Sequence, residues 1–138
     1  MMSDDDRSRT ADEILTRYRS VAVVGLSANP TRPSFRVASY LRDAGFAIVP
    51  INPLIARWRD LPCYPNLRAA PGPIEVVDVF RRSELVGPVV DDAIAIGARA
   101  VWMQDGVIDP DAAARARAAG LLVVMDRCMM RDHMRRGG

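Results

Sequence analysis

The chain has no lysine. No ammonium is therefore on hand for a Schiff base, or for the phosphate-gripping lysine of a G-x-x-x-x-G-K-[ST] loop. All 19 basic side chains are arginines, so every cationic contact must come from a planar, permanently charged fork. Histidine occurs once, at His133, and cysteine twice, at Cys63 and Cys128. This set excludes a histidine dyad and gives no metal-site spacing. Aromatics make up 6% of the chain and the basic residues are dispersed. Stacking platforms for nucleic acid are thus lacking, and a net charge of +2 does not mark a nucleic-acid surface. No apolar run is long enough to span a bilayer, and no signal-type apolar region follows the start. With two cysteines read as reduced thiols, the expectation is a cytoplasmic protein away from the membrane.

What is present is a core. The chain is 138 residues long and 49% hydrophobic, which suits a single α/β domain. Five apolar runs lack alternation: "VAVVG" (21–25), "FAIVPI" (46–51), "IEVVDVF" (74–80), "AVWM" (100–103) and "LLVVM" (121–125). Continuous runs of this kind suit strands buried on both faces of a parallel sheet. Helical patterns lie between them, with Ser83 a cap candidate for the third and Asp109 before Pro110 opening the fourth. Three junctions repeat one device: a helix end, a glycine (Gly45, Gly97 or Gly120), then a buried strand. A glycine past the helix end takes the left-handed conformation cheaply and stops the helix. The expected fold is therefore α/β: a Rossmann-like, doubly wound, five-stranded parallel sheet of order 3-2-1-4-5, in three layers. Residues 1–9 read as a flexible lead, 10–133 as the domain and 134–138 as a flexible tail. Thr10 with Glu13 has capping-box spacing for a helix from about Ala11 to Arg19. The second crossover is weak, with a short helix at most around Asn66 to Ala70.

In such a sheet, ligands sit beyond the carboxyl ends of the strands. Here that edge is built from "GLSANPTRPS", "PINP", "FRRSE", "MQDG" and "MDRC". A dinucleotide site asks for G-x-G-x-x-G and an acid after the second strand. The first loop has Gly25 alone, and the second strand ends "VPINP", without a carboxylate. NAD, FAD and S-adenosylmethionine are disfavoured together. Phosphate chemistry is offered instead. Ser27, Ser34 and the amides opening the first main helix can face an anion, Arg32 lies in that loop, and Arg81 and Arg82 follow the third strand.

These motifs in combination resemble a known family: the G-L-S…R-P-S loop, I-N-P, V-F-R-R and W-x-Q-x-G. The chain resembles the small stand-alone CoA-binding proteins, of the YccU-like kind, from about Ser20 to Cys128. These are similar in fold to the N-terminal CoA-binding domain of the succinyl-CoA synthetase α subunit. The resemblance implies coenzyme A as cofactor. It implies that Gly25, Leu26, Ser27 and Ala28, with Arg32, Pro33 and Ser34, hold the diphosphate. Asn52 and Pro53 would line the adenosine end, Phe80, Arg81 and Arg82 would flank adenine and phosphates, and Gln104 and Gly106 would approach from the fourth strand. Asp105 departs from the family pattern, which has an apolar or small residue between Gln104 and Gly106; a carboxylate beside a polyanion is unhelpful unless it points away.

Catalytic candidates are few. Cys128 at the last strand end could meet the thiol of CoA or take an acyl group, with Arg127 lowering its pKa. Cys63 reads as structural and His133 as an exposed tail residue. No metal site is expected. The reading is a binder of CoA or an acyl-CoA that catalyses nothing alone. The alternatives are an acyl-CoA or CoA-disulfide enzyme or subunit using Cys128, and a binder of another adenine nucleotide. A homodimer or an unknown protein partner is left open.

Overall fold

The apolar runs become strands because each is enclosed on both faces. In the computed structural model, which describes residues 3–137, helix α1 (Asp4–Arg17) leads into β1 (Ser20–Val24), α2 (Pro33–Asp43) and β2 (Ala47–Ile51). A small hairpin, β3 (Arg57–Trp58) and β4 (Leu61–Pro62), precedes β5 (Val76–Val79). A 3-10 turn (Ser83–Leu85) leads into α3 (Val86–Ala95), then β6 (Ala100–Met103), α4 (Pro110–Ala118), β7 (Leu122–Val124) and α5 (Met129–Arg135).

The five long strands form one parallel sheet in the order β2-β1-β5-β6-β7. The expected class is what the chain adopts: a doubly wound, Rossmann-like α/β domain in three layers. Counted along the long strands, however, the order is 2-1-3-4-5, where 3-2-1-4-5 was expected. The reason lies in β2. The backbone of that strand decides it. The Ile51 carbonyl accepts from Gly25 N–H at 3.0 Å, so Ile51 faces β1, and its neighbour Pro50 faces outward. Proline has no N–H to give a further strand there, which confines it to an edge. The Pro50 carbonyl is taken by Tyr64 N–H at 3.0 Å, which covers that edge. The third long strand therefore pairs with the other side of β1.

One apolar layer lies under α3 and α4 and holds Val77, Val79, Val86, Val90, Ala113 and Ala116. The other lies under α1, α2 and α5 and holds Val21, Val23, Val37, Leu41, Trp102 and Met129. Removing such side chains from water supplies about 25 cal/mol per Å2 of apolar surface.

The helix start differs from the sequence reading. In place of a Thr10 cap and a start at Ala11, α1 begins at Asp4. Ser3 is its N-cap and forms a capping box with Asp6. Three acids then occupy the first turn, where the helix dipole favours them. Residues 1 and 2 lie outside the described residues, as does 138. At the other end, α5 extends to Arg135, and Arg136 pairs with Asp12 of α1 at 3.3 Å. The segment 66–70 forms a turn, with Asn66 Oδ1 accepting Ala69 N–H at 2.9 Å, and no helix.

Gly25 leaves β1 with φ +85°, and a Cβ placed there would collide with the Phe80 carbonyl oxygen. Gly25→Ala is expected to lower the unfolding free energy by roughly 2 kcal/mol or more. Urea unfolding followed by circular dichroism reads the change.

Candidate functional site

The first loop is held in shape by its own polar side chains. Ser34 Oγ accepts the Ser27 N–H at 3.0 Å, and Ser27 Oγ accepts the Asn29 N–H at 3.0 Å. Asn29 Oδ1 accepts from Thr31 N–H and hydroxyl. Pro33 sits in the first turn of α2, with Arg32 as N-cap and no side-chain cap bond. Asn52 clips the second strand end to the first loop. Its Nδ2 donates to Leu26 O at 2.9 Å, while its Oδ1 accepts Leu54 N–H at 2.8 Å. Leu26 itself is buried in the core, and Pro53 is exposed. Both serines thus accept a backbone N–H within the loop, and each keeps its O–H to donate.

A cleft of about 500 Å3 opens at the carboxyl edge, between α2, the ends of β5 and β6, and α5. Of the residues singled out in the sequence, Pro33, Phe80, Arg81, Arg82, Gln104, Gly106 and Cys128 line it. Two arginines that sequence reading passed over, Arg36 and Arg131, line it too. The first is one turn into α2, the second one turn into α5; their helical register put them there. Four guanidinium groups thus border one cleft. Arg36 and Arg81 have no ion-pair partner among the described residues. Arg82 lies 3.5 Å from Glu84 with both side chains exposed, a contact worth little. Arg131 is bound to Asp105 through both ends, at 2.7 and 2.8 Å. That pairing answers the difficulty Asp105 raised, since its charge is met within the cleft wall.

The floor loop is fixed from two sides. Gly106 N–H donates to Asp126 Oδ1 at 2.7 Å. Ser83, expected as a helix cap, accepts Ile108 N–H at 2.9 Å and donates to Gly106 O at 3.3 Å. Asp126 makes its bond from the left-handed region, with φ 60°.

Below lies a pair that no motif announced. Gln104 Nε2 donates to Asp78 Oδ1 at 2.7 Å, and both residues are buried. Asp78 is enclosed within β5, and its Oδ2 has no partner among the described residues. Burial pushes the carboxyl up to about 7, outweighing the Gln104 bond that pulls the other way.

Two thiol and imidazole expectations are corrected. Burial raises the Cys128 thiol, so it is protonated at rest. Arg127, expected to activate it, is engaged by Asp132 at 2.8 Å through two bonds. His133 is buried, not an exposed tail residue. It lies against Tyr40 and Phe46, with the Tyr40 hydroxyl 2.7 Å from Nδ1, and burial lowers its pKa. Cys63 is half-buried, its thiol 3.6 Å from Asn52 O. Among the described residues no cluster of three or more His, Cys, Asp or Glu could hold a metal, and no helix is long and apolar enough to cross a membrane.

Residues 19–134 match the family described as "CoA binding domain". The chain belongs to that family. It is 37% identical over 121 residues to the uncharacterized protein YneT of Bacillus subtilis (strain 168), covering 88% of this chain and 90% of that one. A solved structure described as a hypothetical protein from Pyrococcus horikoshii OT3 superposes with a TM-score of 0.91 at 40% identity, covering 95% of this chain and 92% of that one. An ADP-forming acetate–CoA ligase of Archaeoglobus fulgidus is 28% identical over 81 residues. That match takes in 57% of this chain and 12% of the ligase.

Asp78 has a consequence for stability. Unfolding frees its carboxyl to ionise at the ordinary 3.8, whereas the folded state holds the proton to about 7. Its stabilising protonated form is fully present below about 3.8 and lost as pH climbs towards 7. Against Asp78→Asn, the wild type should lose stability across that window and run parallel above it. Melting curves of the two proteins from pH 4 to 8 check this.

Proposed function

We propose that the protein binds coenzyme A, or an acyl-CoA, in the cleft at the carboxyl edge of the sheet, and performs no chemistry alone. One observation carries this reading: Arg36, Arg81, Arg82 and Arg131 surround a single cleft at the strand-order reversal, beside the tight Gly25 turn. CoA is a polyanion bearing an adenine and a long neutral arm. Guanidinium forks suit its phosphates. The apolar Val37, Phe80, Val107 and Met130 suit the neutral part. In this reading the 25–28 turn and the 32–34 helix start approach the diphosphate. Arg81 and Arg82 take phosphates beside Phe80, and Asn52 and Pro53 border the adenosine. Gln104 and Gly106 form the floor. The raised thiol of Cys128 favours binding over thiol chemistry. Its two free cysteines support a reducing compartment such as the cytoplasm.

Titration calorimetry tests the reading. CoA should bind, and dephospho-CoA more weakly. Arg81→Ala should cost about 1.5–3 kcal/mol, as expected for a hydrogen bond to a charged group. ADP binding as tightly as CoA would contradict a CoA-selective site.

A further inference from the structure

A carboxyl enclosed in the middle of a central strand is costly, and among the described residues no cation offsets that of Asp78. The one hydrogen bond to its carboxyl among those residues comes from a side chain that lines the cleft: Gln104 Nε2, at 2.7 Å. The side chain of β5 that could have been another valine is instead an acceptor for that amide. An amide has a donor end and an acceptor end. With the donor end committed inward to Asp78, the carbonyl oxygen is the end left for the cleft.

We infer that Asp78 is a positioning residue that fixes the Gln104 amide, so that the cleft floor presents an acceptor and reads an N–H donor on the ligand. This deepens the CoA reading and rests on it. The arginines serve the charged part of the ligand, whereas Gln104 serves a neutral part. A phosphate oxygen brought to the Gln104 carbonyl would meet acceptor against acceptor, so the floor also sets the direction in which the ligand lies. CoA offers two sources of such a donor, the amides of its pantetheine arm and the amine of its adenine. The local chemistry is the same for both.

Three probes separate the terms. CoA carries both donors, adenosine 3′,5′-bisphosphate only the adenine amine, and pyrophosphate neither. Gln104→Leu and Asp78→Ala should each weaken CoA by about tenfold, the worth of one hydrogen bond. The double variant should lose little more, because the two residues act as a unit. Asp78→Asn keeps an oxygen for Gln104 Nε2 and should restore affinity. Pyrophosphate should bind all four variants as it binds the wild type, which a general collapse of the cleft would not allow. A loss shared by the bisphosphate assigns the donor to adenine, and a loss confined to CoA assigns it to the pantetheine arm; both support the inference. Should Asp78→Ala fail to fold, Gln104→Leu still decides. Gln104→Leu binding CoA as tightly as wild type overturns the inference, as does an equal loss for CoA and pyrophosphate. A wild type that ignores CoA overturns the underlying reading together with this one.

Discussion

The structure turns on the approach of two strand ends. At Gly25 the chain leaves β1 so close to Phe80 that no Cβ fits. Gly25 N–H reaches Ile51 O at 3.0 Å, and Phe80 N–H reaches Val24 O at 2.9 Å. The ends of β2, β1 and β5 are thus tied together where the sheet reverses its order. From that knot the first loop runs one way to α2, and "FRR" runs the other way towards α3. The cleft lies on the α2 side of the knot. Widening the knot would separate Pro33 from Phe80 and spread the arginines that share the cleft.

Charge around the cleft is held in two regimes. Among the described residues Arg36 and Arg81 have no ion-pair partner, and Arg131 is held by Asp105 in an exposed pair. Such pairs are worth only about 0–1 kcal/mol, so an incoming anion can draw Arg131 over at small cost. Deeper, the Asp78–Gln104 pair is buried, and burial keeps the Asp78 carboxyl protonated below about pH 7. The charged rim and the hydrogen-bonded floor are thus physically separate. Arg127 belongs to neither, because it is spent with Asp132 on holding α5.

Much of the fold was legible in the residues. Unbroken apolar runs marked the five parallel strands, and Gly45, Gly97 and Gly120 marked the helix ends. Asp109 before Pro110 opened α4 as read, with its carboxylate accepting Ala112 N–H at 3.0 Å. Strand order was misread although its signal was present: Pro50 inside "FAIVPI" marks an edge strand. The start of α1 was missed because its capping box uses Asp6 in place of the usual Glu or Gln. The edge loops were legible as a set. Their division of labour was not, because Ser34 and Asn52 satisfy backbone groups that come near only when the chain is folded. The burial of His133 likewise depends on where α5 docks. Asp78 did carry a sign, a carboxylate within the run "IEVVDVF". Its partner lies 26 residues away on the neighbouring strand, where no local pattern connects them.

The central claim is that this edge, and not the opposite one, receives coenzyme A. Amide chemical-shift mapping during a CoA titration tests it most directly. Saturable shifts are expected at Gly25, Phe80 to Arg82, Gln104 to Gly106 and Met130. Shifts gathered at the amino ends of the strands, around Ser20, Glu75 and Arg99, or no shifts at all, would contradict it.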